Sequence, residues 1–245
     1  MNHHRSIHRV LPTTTHCWLV HPQWPPSNVE QKKKSGPARR TKVFRIFGVM
    51  KLVLATQNPN KVKEIQAALP AEWSVTTARD AGITEELPET GTTLDANARE
   101  KAAYLQTKLG GFALSDDSGL EVDALEGAPG VYSARFGGPE KDDAVNRAAL
   151  LHAMEGVTNR TARFRTVIAW ATPTGMTTFE GEVEGIILES ERGEGGFGYD
   201  ALFVPEDGDG RTFAEMALEE KKAMSHRGRA LRAWMAALDG EIIPR

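Results

Sequence analysis

From Met50 onward the apolar positions fall into two periods, 3.6 and 2. Residues 51–56 (KLVLAT) form a short β-rich run that meets Asn58-Pro59, an N-cap residue followed by a first-turn proline. Val62, Ile65 and Leu69 then recur at helical spacing, which predicts a helix ending near 69. A second helix is predicted over about 93–109, with Thr92 three residues before Asp95 as a capping box and Gly110-Gly111 as its stop. Residues 112–115 read as a buried strand. The stretch 116–139, rich in glycine, proline and acids, reads as loops on a scaffold. A third helix covers about 140–155 and stops at Gly156. Residues 162–171 and 177–188 are long β-like runs separated by Thr172-Pro173-Thr174-Gly175, most simply an antiparallel hairpin. A Gly-rich loop and a strand (ALFV) occupy 193–204, and a last helix begins at Ser225, buries Leu231, Trp234 and Leu238, and stops at Gly240. Helices alternate with strands early and strands pair late, so the fold class is α/β with a mixed sheet and no internal repeat.

Composition changes this picture only at the N-terminus. The 245 residues are 40% hydrophobic and 26% charged, enough to bury a core. Residues 1–49 hold nine Lys/Arg and one acid, a net of +8, which leaves −11 on the remainder. Five of the seven histidines and five of the thirteen prolines lie there too, with no amphipathic period. Residues 17–20 (CWLV) are too short an apolar core for a signal peptide, and the prolines would interrupt a transit-peptide helix. A basic arm for nucleic acid or membrane is the alternative. The expectation is a disordered or non-native extension over 1–49, with Met50 starting a domain over 50–245. No apolar run approaches the roughly 18 residues of a membrane span. Cys17 is the lone cysteine, which excludes an intrachain disulfide and a Cys-based zinc cluster. A reducing, cytoplasmic compartment is the default expectation.

Four clusters carry candidate chemistry. Thr56-Gln57-Asn58-Pro59-Asn60-Lys61 runs from a strand end into a helix N-terminus, where free N–H groups, the dipole and Lys61 suit an anion. It lacks the glycines of a Walker A loop, and an ordinary turn with a solvated lysine is the plain alternative. Asp116-Asp117-Ser118-Gly119 follows a strand, and two carboxylates there suit a hard cation or a general base, with alternation turning only one toward the reaction. Glu89, in LPETG (87–91), offers a second carboxylate to the same ion. In GGFGYD (195–200), glycines flank Phe197 and Tyr199, so that a flat ligand can approach and stack. Ser225-His226-Arg227-Gly228 sets two potential cations at a helix N-terminus, against the dipole, where an anionic or carbonyl-bearing ligand would relieve the conflict. Lys221 lies about one turn earlier.

These blocks, TQNPNK (56–61), LPETG (87–91), SDDSGLEVDALEGAPGVYSARF (115–136), GGFGYD (195–200) and EEKKAMSHRG (219–228), stand in the order of the Ham1/inosine triphosphate pyrophosphatase family, which residues 50–245 resemble. DDSGL followed by GAPG-YSAR is the most specific of them. The resemblance implies an elongated mixed sheet with flanking helices and two lobes around a central cleft. It also implies a homodimer that hydrolyses ITP, dITP and XTP between the α- and β-phosphates with Mg²⁺. Carried over, Thr56, Gln57, Asn58, Pro59, Asn60 and Lys61 bind the triphosphate. Asp117 is the general base and, with Glu89, a metal ligand; Ser118 contacts substrate. Phe197, Gly198, Tyr199 and Asp200, with Lys221, His226 and Arg227, enclose the base. The partner implied is a small nucleotide, with neither nucleic acid nor membrane. The rivals are a pyrophosphatase for other altered nucleotides, as in Maf-like proteins, and a binding module without catalysis that grips RNA through 1–49.

Overall fold

The computed structural model describes residues 50–71 and 73–240. The expectation for 1–49 lies outside the described residues. Six strands form one mixed sheet: β1 (Met50–Ala55), β2 (Trp73–Thr77), β3 (Ala113–Val122), β4 (Thr161–Thr172), β5 (Gly175–Ile187) and β6 (Phe203–Pro205). Their spatial order is β2-β1-β3-β4-β5-β6, with β1 parallel to β2 and β3 and every other pair antiparallel. Five α-helices flank it: α1 (Pro59–Ala68), α2 (Leu94–Leu109), α3 (Asp143–Ala153), α4 (Leu218–Met224) and α5 (His226–Gly240). The α/β class and the β4–β5 hairpin agree with the patterning, and β2 and α4 are additions to it.

Two local expectations are corrected. Thr93, not Thr92, caps α2: its hydroxyl accepts from the Ala96 N–H at 3.1 Å, and Asp95 pairs instead with Arg99. β3 does not stop at Ser115 but continues through DDSGLEV to Val122. Asp and Gly are poor strand formers alone, yet β4 pairs with β3 without interruption from Ala113↔Ala171 to Val122↔Ala162, and tertiary pairing overrides propensity.

Strand alternation divides the core. Odd positions of β4 (Val167, Ala169, Ala171) pack with α2 through Leu94, Ala98, Ala102 and Leu105. Even positions face the other side, where Ile168 and Leu114 meet α1 and α5 through Ile65, Leu231 and Trp234. Farther along that same face, Phe164, Leu120 and Val122 join a second apolar cluster with Val183, Phe203 and Phe213. Between these two clusters the face turns polar: Asp116, Ser118 and Thr166 occupy the even positions. α5 lies close over β5 there, and a Cβ on Gly181 would overlap the His226 carbonyl and the Ala230 nitrogen.

Candidate active site

The polar strip coincides with an opening in the sheet. β1 pairs with β3 only at Leu54↔Leu114 and Ala55↔Ser115, so from Asp116 onward β3 has lost its β1 neighbour. The carboxylates thus sit mid-strand in β3, not at its C-terminal end, and it is the end of β1 that opens the cleft. The cleft has two continuous parts that share Asn58, Lys61, Glu89, Ala134 and Asp143. One part, about 130 Å³, is lined by Asp117, Ser118, Phe197, Gly198, Tyr199, Asp200, Lys221, His226 and Arg227. The other, about 610 Å³, adds Thr56, Gln57 and Pro59 with Lys101 and Lys141. Asn60 and the candidate carboxylate Asp116 line neither part; the Asn60 N–H is taken by the Asn58 side chain at 2.9 Å.

That contact revises the anion cradle. Asn58 Oδ1 accepts from both Asn60 and Lys61 N–H groups, the Asn58 N–H is bonded to Thr56 Oγ1, and Pro59 has no N–H. The first turn of α1 therefore has these donors already satisfied, and Lys61 is what this end contributes to the cleft.

Alternation sends the two aspartates to opposite faces. Asp116, fully buried, meets Lys61 Nζ at 2.5 Å and accepts from Arg227 Nε and Ser118 Oγ at 3.0 and 2.9 Å. Burial opposes its ionisation, but Arg227 and Lys61 overcome that and hold the carboxyl far below the usual range. Asp117 faces α2, where Lys101 Nζ donates to its Oδ1 at 2.7 Å, to Glu89 Oε1 at 2.8 Å and to the Asp116 carbonyl at 2.9 Å. Here burial wins: the Asp117 carboxyl is pushed up despite Lys101 and Lys61. In Glu89 burial loses to Lys101, and the carboxyl is lowered. Among the described residues no group of three or more His, Cys, Asp or Glu is placed to hold a metal. The pair Glu89 and Asp117 still fits a hard divalent cation. Both are oxygen donors on one wall, and Lys101 engages a single oxygen of each.

At the other end, Arg227 and Lys221 are buried and share Glu64: Arg227 Nη1 pairs with its Oε2 and Lys221 Nζ with its Oε1 at 2.5 Å. Lys221 also meets Asp200 at 2.5 Å, and Arg227 Nη2 donates to Ser118 Oγ at 3.0 Å. Both cations lie against Phe197, at 4.8 and 5.7 Å from its centroid, leaving that ring on the cavity wall. His226 stacks on Phe164 with centroids 4.7 Å apart and planes within 10°. Its imidazole is held well below the ordinary value by burial and by the neighbouring Arg227 and Lys221. The dipole conflict expected at the start of α5 is therefore absent: His226 is neutral, and Arg227 is matched by two carboxylates. The 195–200 loop is tethered by Asp200, which accepts from the Phe197 N–H at 2.8 Å, and by the Tyr199 hydroxyl, which donates to the Ser133 carbonyl at 2.8 Å. From α3, Asp143 accepts from the Gly198 N–H and Arg147 donates to the Gly198 carbonyl.

Glu64, Lys101, Asp143 and Arg147 were not among the sequence candidates, and Asp116 was named only as the alternative carboxylate to Asp117. Lys101 carried a readable signal, since it falls on the stripe of Leu94, Ala98 and Leu105 where an unpaired charge would be costly. Glu64 stands one turn after Lys61, but its partners are more than 150 residues away in sequence.

Fold and cleft define an α/β protein with a deep cavity walled by buried ion pairs at the open edge of a mixed sheet. The chain belongs to the Ham1 family, whose profile matches residues 52–237. It is 51% identical over 197 residues to a dITP/XTP pyrophosphatase of Exiguobacterium sp., covering 80% of this chain and 98% of that one. A solved HAM1 protein from Coxiella burnetii superimposes with a TM-score of 0.71 at 36% identity, covering 78% of this chain and all of the other. A nucleoside-triphosphatase / dITP/XTP pyrophosphatase from Mycobacterium abscessus gives 0.62 at 42% identity, covering 77% and 99%.

Proposed function

We propose that this protein is a nucleoside triphosphate pyrophosphatase that hydrolyses the deaminated purine nucleotides ITP, dITP and XTP to the monophosphate and pyrophosphate. The observation that carries this reading is the continuity of the cleft. An aromatic, donor-bearing end, whose wall includes Asp117, and a lysine-lined end meet at Asn58, Lys61 and Glu89.

Asp117 accepts a proton from water as the water oxygen bonds to the α-phosphorus. The bond from that phosphorus to the oxygen bridging to the β-phosphate breaks, and pyrophosphate leaves with the electron pair. Lys101, which donates to Asp117 Oδ1 at 2.7 Å, fixes the orientation of that carboxylate and leaves its other oxygen for the water. Glu89 and Asp117 would hold Mg²⁺, which supplies charge neutralisation and polarises the phosphorus. Lys61 meets phosphate charge directly, which a domain of net charge −11 needs locally. At the other end a base lies against Phe197. The neutral His226 and the N–H groups of Arg227 not committed to Asp116, Glu64 and Ser118 line that end and would meet its edge. A 6-oxo purine satisfies such donors, whereas the 6-amino group of adenine leaves them unpaired.

A panel of ITP, dITP, XTP, GTP and ATP with Mg²⁺, scored for pyrophosphate against orthophosphate, tests the reading. Orthophosphate as the first product, or equal rates for ATP and ITP, would refute it. The homodimer and the cytoplasmic location belong to the same proposal, and sedimentation in solution checks the first. The described residues contain no helix long and apolar enough to cross a membrane. Residues 50–245 are proposed as the catalytic domain, so removal of 1–49 is expected to leave rate and thermal midpoint unchanged; a large loss in either would place 1–49 within it.

A further inference from the structure

Three lysines line the wider part of the cleft, and they differ in what holds them. Lys61 is paired with the fully buried Asp116, and Lys101, itself buried, with Asp117 and Glu89. Drawing either away would strand a carboxylate in a poorly solvated wall, which is costly. Lys141 stands just before α3, and its Nζ reaches across to Glu86 Oε1 at 2.8 Å. Here both side chains are open to water, 47% and 82% exposed, so solvent readily replaces either partner. The backbone adds a second observation. Lys141 has φ of +56°, a left-handed conformation that a residue with a Cβ adopts at a cost and that clusters at ligand-binding positions. Neither Lys141 nor Glu86 belongs to the motif blocks.

We propose that Lys141 is a substrate-binding residue that exchanges Glu86 for the terminal phosphates of the nucleotide, with Glu86 as its competing carboxylate in the empty cleft. The inference rests on the pyrophosphatase reading and adds a phosphate contact to it. Of the three cations, Lys141 alone has a partner it can leave without exposing a buried charge. It lines the same part of the cleft as Thr56 to Pro59 and Lys61, at the end away from Phe197 and His226. The leaving pyrophosphate carries the charge that this end must accommodate.

The probe is inorganic pyrophosphate, whose binding to the full chain is measured by calorimetry and by competition against dITP hydrolysis. Lys141→Ala is expected to weaken pyrophosphate binding and raise the KM for dITP, each by about three- to tenfold, with the effect in KM rather than kcat. Lys141→Arg restores binding. Glu86→Gln moves the other way and tightens pyrophosphate, because the competitor has lost its charge. A merely structural salt bridge would make both variants worse. Pyrophosphate affinity that is unchanged in Lys141→Ala, or that shifts in the same direction in both variants, overturns the proposal. Turnover of dITP with pyrophosphate binding independent of Lys141 overturns it while leaving the pyrophosphatase reading intact. Lys141-dependent pyrophosphate binding without dITP turnover supports the phosphate site and sinks the nucleotide reading instead.

Discussion

Acidification of the purified protein probes the neutral state of His226. Burial, Arg227 and Lys221 hold the imidazole well below 6.5 in the folded chain, while in the unfolded chain it returns to that ordinary value. Between the two values the unfolded state binds a proton that the folded state refuses. The contribution to stability is thus present above 6.5 and is lost as pH falls below it. For one such group the loss is close to zero at pH 7.5 and is on the order of 1 kcal/mol at pH 5.5. Other groups also titrate in this window, so the measurement is a difference between the wild type and His226→Phe. The substitution keeps an aromatic ring against Phe164, and Nδ1 has no partner to lose. Urea unfolding at both pH values gives the two free energies. The wild type should lose on the order of 1 kcal/mol more than His226→Phe over this interval. Equal losses would mean that the imidazole titrates freely, and a neutral donor at the base edge would go with it.

Asp117→Asn should lower kcat by at least about a hundredfold while dITP still binds; near-normal kcat would remove Asp117 from the proton transfer. Arg227→Ala leaves Asp116 and Glu64 with one cation fewer each, which should cost about 3–5 kcal/mol in urea unfolding and narrow the ITP to ATP ratio in kcat/KM. An unchanged ratio in a stable variant would dismiss the base-edge role. Gly181→Ala drives a Cβ into the backbone of α5 beside His226, so a loss of about 1–3 kcal/mol is expected together with a raised KM for dITP. Normal stability and KM would show that α5 has room to move.

The buried charges around the cleft form one connected set. Glu64 joins Arg227 to Lys221, Arg227 joins Asp116 to Ser118, and Asp116 joins Lys61. Each cation has an acid beside it, so the wall is close to neutral and the carboxylates of an acidic domain do not repel one another there. Such a network does little for net stability compared with an apolar core, but removal of one member strands the rest. Its value lies in position: a base pocket whose donors are already oriented loses little entropy when a purine enters.

Local pattern was enough for α1, α2, α3 and α5, the β4–β5 hairpin and the α/β class, because period and caps act over a few residues. The motif blocks marked Asp117, Lys61, Phe197 and His226 as chemistry-bearing, and the cleft brings them to one place. Pairing decided the rest. Only the ladder with β4 turns DDSGLEV into strand, and only the early end of β1 leaves Asp116 and Asp117 at an open edge. Whether Lys101 was solvated or buried, whether Glu64 met Arg227, and whether His226 carried a charge depended on residues distant in sequence. Charge state follows from burial and neighbours in three dimensions, and no local rule along the chain contains either.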